Sequence, residues 1–248
     1  MKTIKSAIIL GATSAIAKAC AHQLAATGCS LLLVGRSEDR LQTMAKDLQL
    51  RYRIACDFFV MDINDKDKHQ DCIEFAKQQL KTIDVALIAH GTLPKQLECE
   101  QSVTQTIEAL DTNATSTIAF LTVLANCFEQ QRHGCIAVIS SVASDRGKKS
   151  NYIYAAAKAA VTCFLQGLQQ RLSSKNVNVL IIKPGFVDTP MTADFKKGLI
   201  WAQPEKVAKD ILKAIAKKRY VLYTPHFWKY IMLVIKMVPS RVFSKLDM

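Results

Sequence analysis

Apolar runs of four to seven residues recur along the chain, and each is followed by a segment whose apolar residues have helical spacing. The predicted strands are Ile4–Leu10, Ser30–Val34, Ile54–Val60, Val85–Ala89, Cys135–Ser140, Val177–Ile182 and Tyr220–Tyr223. These runs are apolar nearly throughout instead of at alternate positions, which indicates strands buried on both faces. The pattern therefore predicts an α/β fold, a doubly wound and predominantly parallel seven-stranded sheet with helices on both faces.

The length and the composition fit one compact domain. The chain has 248 residues, half of them hydrophobic, which is enough to build the core around such a sheet. Its eight cysteines form no C-x-x-C pair and lie in apolar stretches, so we expect reduced thiols and a cytoplasmic location. The first apolar run is short and stops at a turn, which predicts a strand rather than a signal peptide.

The net charge of +12 is concentrated near the carboxyl end of the sequence. Residues 196–248 hold twelve lysine and arginine residues and three acidic residues, a net charge of +9. Apolar residues within this region fall at helical spacing, and they are Phe227, Tyr230, Ile231, Val234 and Val238. The longest uninterrupted apolar run there, Tyr230–Ile235, is far shorter than the roughly 20 residues that span a bilayer.

We therefore divide the chain into a main domain, residues 1–225, and an amphipathic basic segment, residues 226–248. The segment can lie on an anionic membrane surface with its basic side chains toward the lipid, which would put the protein at the inner face of the membrane. Alternatively, it is part of the same domain, where it closes a pocket or forms a subunit interface. The concentration of positive charge favours the membrane surface.

The first predicted strand leads into a candidate nucleotide-binding turn. Residues 11–17 form the turn and Lys18–Ala26 the predicted helix, with candidate cofactor contacts at Gly11, Thr13, Ser14, Ala15 and Ile16. A glycine at the strand end permits a tight turn, and the helix N-terminus offers free N–H groups to a pyrophosphate. Ala15 and Ala17 replace the second and third glycines of the dinucleotide fingerprint, so a strand, turn and helix without a ligand remains the alternative.

Three residues after the second and third strands are further candidate contacts of the dinucleotide. Arg36 follows the second strand, where an acidic residue would accept hydrogen bonds from a ribose and a guanidinium would pair with a ribose phosphate. Arg36 therefore favours NADP(H) over NAD(H), although an arginine in this place can also be merely solvated. Asp62 and Ile63 follow the third strand and are candidate contacts of the adenine, while Asp62 is alternatively a cap of the next helix.

The segment Tyr154–Lys158 carries the strongest chemical signal. Side chains four residues apart share one face of a helix, so the phenol and the ammonium group can both point into one pocket. We expect the positive charge of Lys158 to lower the pKa of Tyr154 toward the range in which it can exchange protons. Ser140 and Ser141 end the fifth strand, where a hydroxyl could hold the substrate oxygen.

Taken in order, these motifs resemble the short-chain dehydrogenase/reductase family along almost the whole chain. The matching segments are 11–17, Asp62-Ile63, Asn113 within Asp111–Ser116, Ser140-Ser141, Tyr154–Lys158 and Lys183–Thr189. The resemblance implies a Rossmann-type fold with an NAD(P)-binding catalytic domain in residues 1–225. It also implies a carbonyl substrate and a homo-oligomer.

The resemblance further implies a catalytic tetrad. Tyr154 would be the proton donor in reduction, Lys158 would hold the nicotinamide ribose, Ser141 would orient the carbonyl, and Asn113 would position a water. Ser141 is preferred to Ser140 because the family serine commonly precedes the tyrosine by thirteen residues. The remaining cofactor contacts that the resemblance implies are Gly91, Pro184, Gly185, Val187 and Thr189. The family pattern Asn-Asn-Ala-Gly is replaced by Ile88–Gly91, so only the glycine carries over.

A narrower resemblance concerns the substrate. Residues 145–152, the alanine at position 15 and the ending from Tyr223 through Pro239 resemble the branch of decaprenylphosphoryl-ribose-type 2-keto reductases. This resemblance implies a keto sugar on a lipid phosphate carrier. Arg146, Lys148 and Lys149 could then meet the phosphate, or they could form a solvated, mobile basic loop.

Three functions follow as hypotheses. The first is a reductase of a lipid-linked keto sugar, the second a reductase of a soluble small ketone or acyl substrate, and the third a non-catalytic dinucleotide-binding regulator. We expect no metal site, because the five histidines lack ligand spacing. We expect no nucleic-acid partner, because the basic residues are not combined with a recognisable reading motif.

Overall fold

A computed structural model describes residues 4–246, so the first three residues of the predicted range 1–225 and the last two of 226–248 lie outside it. One seven-stranded sheet organises the chain, in the order β3-β2-β1-β4-β5-β6-β7, with every neighbouring pair parallel. Its strands are β1 Ser6–Leu10, β2 Ser30–Gly35, β3 Cys56–Val60, β4 Val85–Ile88, β5 Gly134–Ile139, β6 Val177–Pro184 and β7 Val221–Thr224. All seven predicted strands are confirmed, each end to within two residues.

Helices cover both faces of the sheet. They are α1 Ala15–Ala25, α2 Glu38–Tyr52, α3 Lys68–Leu80, α4 Gln96–Gln101, α5 Val103–Leu110, α6 Ser116–Gln131, α7 Tyr152–Ser173, α8 Pro204–Ala216, α9 Trp228–Met237 and α10 Ser240–Phe243. Successive residues of a strand point to opposite faces, so Ile9 packs with α1, α2 and α8 while Ile8 packs with α3, α6 and α7. This double burial explains why the strands are apolar throughout.

The strand order creates the position for a ligand. β1 pairs with β2 on one side and with β4 on the other, so the chain changes direction across the sheet between these strands. In open parallel sheets, ligands bind at such a switch point, outside the carboxyl ends of the strands. Gly11 follows β1 at this edge, and Gly91 lies three residues after the end of β4.

Helix α1 begins earlier than the sequence pattern predicts, at Ala15 instead of Lys18. Ser14 ends the turn in an extended conformation, and its hydroxyl accepts a hydrogen bond from the N–H of Ala17 at 3.4 Å. A serine in this position satisfies one of the free N–H groups of the first helical turn. The earlier start places Ala15 and Ile16 in the first turn of the helix, where the N–H groups have no intrahelical acceptors.

The basic segment at the carboxyl end contains α9 and α10 and packs against β7 and the 3₁₀ turn Val142–Asp145. The predicted apolar face is not the buried side of this segment. Trp228 and Met232 are buried against the protein, whereas the residues of the predicted face are exposed, at Phe227, Tyr230 and Val234, or partly exposed, at Ile231 and Val238. Among residues 4–246, no helix is both long enough and apolar enough to cross a bilayer.

Candidate active site

The turn between β1 and α1 is shaped for close backbone approach. Gly11 has a φ of +71°, and a Cβ there would lie 2.6 Å from the backbone nitrogen of His90. A side chain at this position would therefore clash with the segment that follows β4. Ala17 is fully buried, whereas Thr13, Ser14, Ala15 and Ile16 are partly exposed. The methyl group of Ala17 consequently points into the core, and the residues around the helix N-terminus fit a dinucleotide.

Arg36 stands at the edge where the adenosine end of a dinucleotide would lie. It follows β2 and is exposed, and its Nη1 lies 3.8 Å from Oδ2 of Asp62, which follows β3. Such an exposed, long ion pair holds the guanidinium weakly. Asp62 does not cap α3, which begins at Lys68; its Oδ1 accepts a hydrogen bond from the N–H of Asn64 at 2.9 Å. Ile63 is buried beside it.

Asn113 lies in the π-helical turn Asp111–Thr115 and is fully buried. Its Oδ1 accepts a hydrogen bond from the N–H of Thr92 at 2.9 Å, and its Nδ2 donates to the carbonyl of Ala109 at 3.0 Å. Gly91, at φ +151°, lies between Asn113 and Lys158: a Cβ there would be 2.9 Å from Oδ1 of Asn113 and 3.3 Å from Nζ of Lys158. Only a glycine leaves room for this approach.

The two serines after β5 have different surroundings. Ser140 is buried, and its hydroxyl lies 2.8 Å from the hydroxyl of Thr162 and 3.2 Å from the carbonyl oxygen of Lys158. Ser141 is partly exposed and forms a side-chain hydrogen bond with Tyr154. The hydroxyl that faces the tyrosine is therefore that of Ser141.

Tyr154 and Lys158 share one face of α7, as their spacing predicts. Nζ of Lys158 lies 5.7 Å from the centre of the Tyr154 ring and donates a hydrogen bond to the carbonyl of Ile139 at 3.2 Å. Burial lowers the pKa of Lys158 to about 8, because the ammonium group loses its hydration. Thus Ser141, Tyr154, Lys158 and Asn113 converge at the carboxyl edge of β4 and β5.

The expected lowering of the tyrosine pKa is wrong for this structure. Burial raises the pKa of Tyr154 to about 12, and the hydrogen bond with Ser141 opposes this effect only in part. The cost of burying a phenolate outweighs the stabilisation that its neighbours provide. At neutral pH the phenol therefore keeps its proton.

The structure adds a buried charged group that the sequence analysis missed. Lys183, at the end of β6, forms an ion pair with Asp145 from the 3₁₀ turn after Ser141. The hydroxyl of Tyr223 in β7 donates a hydrogen bond to the same carboxylate at 2.7 Å, and the pKa of Tyr223 is raised by burial and by Asp145. A lysine at the end of an apolar strand was the available signal, because such a charge needs a buried partner.

The other implied nicotinamide contacts follow Lys183. Pro184 and Val187 are buried, and Gly185 and Thr189 are partly exposed. Arg146 is partly buried, and its Nη1 is engaged within the protein, which corrects the interpretation of this residue as part of a solvated, mobile loop. Its guanidinium donates to carbonyl oxygens of the carboxyl-terminal segment, where a helix end provides acceptors.

A parallel sheet with this order, and a glycine turn leading into a helix at its switch point, define an α/β fold of the kind that binds dinucleotides. Residues 5–199 match the short chain dehydrogenase family, and the chain belongs to this family. The protein is accordingly an oxidoreductase of a family that binds NAD(P) and acts on small carbonyl substrates.

Relatives of similar length support the assignment. An uncharacterized oxidoreductase of Mycobacterium tuberculosis is 28% identical over 239 residues, which cover 96% of each chain. An uncharacterized oxidoreductase of Staphylococcus saprophyticus is 30% identical over 210 residues, which cover 85% of this chain and 88% of that protein. The similarity therefore extends beyond the nucleotide-binding half.

Solved structures share the fold. An alcohol dehydrogenase from the archaeon Thermococcus sibiricus, complexed with 5-hydroxy-NADP, has a TM-score of 0.77 at 22% identity and covers 89% of this chain and 95% of its own. A short chain dehydrogenase/reductase family protein has a TM-score of 0.79 at 24% identity, covering 90% and 97%. Both confirm the doubly wound architecture.

Proposed function

We propose that the protein is an NADP(H)-preferring carbonyl reductase that uses Asn113, Ser141, Tyr154 and Lys158. The observation that carries this proposal is the convergence of these four residues beside Gly91. A protonated acid is what a carbonyl oxygen needs during its reduction to an alcohol.

Each residue of the tetrad has a separate task in this proposal. The reduced nicotinamide of the dinucleotide supplies the hydride when it is bound. Tyr154 donates its phenolic proton to the carbonyl oxygen, while the hydroxyl of Ser141 holds that oxygen. The ammonium group of Lys158 stabilises the phenolate that remains and binds the ribose hydroxyls. Asn113 keeps the π-helical turn in place and is the candidate for holding a water near Lys158.

Removal of the phenolic hydroxyl tests this mechanism. We expect Tyr154→Phe to lower kcat for reduction by about 10²- to 10⁴-fold, the usual contribution of general acid catalysis, with NADPH binding retained. Ser141→Ala should also lose activity, whereas its neighbour Ser140→Ala is the matched control and should mainly lose stability. Full activity of Tyr154→Phe would contradict the mechanism. If the wild-type protein bound neither NADPH nor NADH, the proposed reductase function would be wrong.

The preference for NADP(H) rests on Arg36. It is exposed and only weakly paired with Asp62, so its guanidinium can turn toward a ribose phosphate, and Pro184, Gly185, Val187 and Thr189 would contact the nicotinamide end. Titration with NADPH and NADH, followed by nicotinamide fluorescence, measures the preference. We expect Arg36→Ala to weaken NADPH binding by about tenfold and to leave NADH binding nearly unchanged, since one charged hydrogen bond is lost. Equal loss for both dinucleotides would remove the role of Arg36.

We further propose that residues 226–248 bind an anionic membrane surface from the inner face, so that a lipid-linked keto sugar can reach the site. The exposed side of α9 supports this: Tyr230, Leu233, Val234 and Met237 are 53% to 74% exposed, and Lys229 and Lys236 are exposed on the same helix. An apolar face flanked by lysines is typical of a helix that lies in the headgroup region.

Co-sedimentation with vesicles of phosphatidylserine and phosphatidylcholine tests this surface. Removal of residues 226–248 should abolish binding, and Leu233→Asn with Val234→Asn should weaken it by about tenfold or more, because two apolar side chains no longer enter the lipid. Leu50→Asn, an exposed leucine on α2, is the matched control. Unchanged binding of the double variant, or none by the wild type, would favour the second candidate, a reductase of a soluble ketone.

A further inference from the structure

One side chain joins the region of Ser141 to the carboxyl-terminal segment. Nη1 of Arg146 donates to the carbonyl oxygens of Ile235 and Val238, each at 2.6 Å, and is 3.4 Å from that of Lys236. Its guanidinium lies 3.7 Å from the centre of the Phe243 ring in α10. The last carbonyls of a helix have no intrahelical donors and carry partial negative charge. Arg146 supplies the end of α9 with both hydrogen-bond donors and a positive charge.

The beginning of the same helix lies against the candidate nicotinamide segment. Trp228 is 95% buried, and its indole occupies the space in front of Gly185: a Cβ on that glycine would be 1.9 Å from Nε1. The indole N–H has no partner among the described residues. Helix α9 is therefore fixed at its end by Arg146 and touches the candidate active site at its beginning.

The link between Ser141 and Arg146 is short and internally bonded. The 3₁₀ turn Val142–Asp145 fills it, and Ser144 donates to the carbonyl of Ser141 through its hydroxyl at 2.7 Å and through its N–H at 3.1 Å. Asp145 is held in addition by Lys183 and Tyr223. The backbone from Ser141 to Asp145 is therefore fixed beside Arg146.

We propose that Arg146 is a positioning residue: it holds α9 so that Trp228 stays against Gly185. The carboxyl-terminal segment is then one wall of the active site as well as a candidate lipid-binding surface. The expected effect of Arg146 on turnover rests on the proposed reductase function. The expected effect on the position of Trp228 is independent of that function.

The experiment uses the full chain with Trp201→Phe, which leaves Trp228 as the single tryptophan. Arg146→Met removes the guanidinium, and Arg146→Lys keeps the charge but loses the planar fork and the stacking on Phe243. The exposed arginine between α8 and β7 provides the control with the same change of charge, Arg219→Met. Acrylamide quenching of Trp228 fluorescence, the Kd for NADPH and the kinetics of ketone reduction are measured below the unfolding temperature of each variant.

We expect Arg146→Met to increase the quenching constant of Trp228 at least twofold, because the indole becomes accessible. The kcat/KM for the ketone should fall by about tenfold or more, as expected when charged hydrogen bonds are lost, while the Kd for NADPH changes by less than about threefold. Arg146→Lys should lie between wild type and Arg146→Met, and Arg219→Met should match wild type. Wild-type quenching and kcat/KM in Arg146→Met would overturn the proposal. A raised KM with unchanged quenching would also overturn it, in favour of direct substrate binding by Arg146.

A milder variant covers the case in which Arg146→Met does not fold. Phe243→Leu removes only the ring under the guanidinium, and we expect it to raise the quenching constant in the same direction by a smaller factor. No change in quenching with Phe243→Leu and with Arg146→Lys would overturn the proposal. If the wild-type protein reduces no ketone, the reductase function fails, and the quenching measurements still decide whether Arg146 positions Trp228.

Discussion

Two buried lysines stand at the carboxyl edge of the sheet in opposite surroundings. Lys158 is 5% exposed and Lys183 is 7% exposed. Lys183 is paired with the carboxylate of Asp145 beneath the ring of Tyr223. No carboxylate among residues 4–246 forms an ion pair with Lys158, which donates instead to the carbonyl of Ile139.

This difference supports the proposal that Lys158 serves the chemistry, and it indicates a structural role for Lys183. An unpaired buried charge destabilises a fold, and a protein retains one where its chemistry requires it. A paired buried charge stabilises the arrangement only while both partners are present. We therefore expect substitutions at the two lysines to have opposite effects on activity and stability.

The largest effect is expected for Lys158→Met on turnover. Loss of the ammonium group should lower kcat for reduction by about 10²- to 10³-fold, the usual cost of removing one electrostatic contact with the reacting groups. At pH 7 the unfolding free energy should rise by up to roughly 3 kcal/mol, because burial lowers the pKa of Lys158 to about 8 from 10.5 in the unfolded chain.

The sign of this stability change depends on pH. Below pH 8 the folded wild-type protein carries the unfavourable charge, so the gain of Lys158→Met is complete. It declines between pH 8 and 10.5 and vanishes above, where the lysine is neutral in both states. Urea unfolding at pH 7 and pH 10.5 measures both values. A destabilised variant at pH 7 would contradict the assignment of Lys158 as an unpaired charge.

Lys183→Met should affect mainly stability. It leaves the carboxylate of Asp145 buried without its cation, and we expect the unfolding free energy to fall by roughly 3–5 kcal/mol. In the cold, where the variant is folded, kcat/KM should stay within about tenfold of wild type. The double variant with Asp145→Leu should recover part of the lost stability. If the losses were additive instead, the pair would not be coupled.

The mildest test leaves the sequence unchanged and measures the pH dependence of the wild-type enzyme. Since Lys158 must be charged to stabilise the phenolate, kcat/KM for reduction should be level below about pH 8 and fall by about tenfold per unit above it. Tyr154 does not set this limb, because its pKa of about 12 keeps it protonated throughout. A level profile up to pH 10 would show that the charge of Lys158 is not needed.

The sequence predicted the strands and the common face of Tyr154 and Lys158 well because these signals are local. Apolar runs reveal strands with both faces buried, and the spacing of Tyr154 and Lys158 on one helix fixes their common face. The start of α1 was predicted too late because all of residues 11–17 were assigned to the glycine turn, whereas Ser14 already caps the helix. Asp62 was likewise not a cap of α3, because its carboxylate accepts a hydrogen bond from the N–H of Asn64, two residues further along the chain.

The contacts of Arg146, Lys183 and Trp228 could not be predicted, because their partners are distant in sequence. Arg146 donates hydrogen bonds to residues about ninety positions further along the chain, and Asp145 accepts one from Tyr223, seventy-eight positions away. A charge pattern shows that such side chains need partners, but only the packed chain selects which ones are in reach. The raised pKa of Tyr154 has the same origin, since burial depends on every element around the site.

The sequence by itself determined the doubly wound sheet, the position of its nucleotide turn and the identity of the candidate catalytic residues. The sheet and the turn follow from periodicity and from short-range spacing, which act within a few residues, whereas the candidate catalytic residues follow from the spacing of Tyr154 and Lys158 together with the family resemblance. Tertiary structure alone decided which buried lysine is paired and which side of α9 is buried. Those outcomes depend on desolvation and on distances between separate elements, which exist only once the chain has packed.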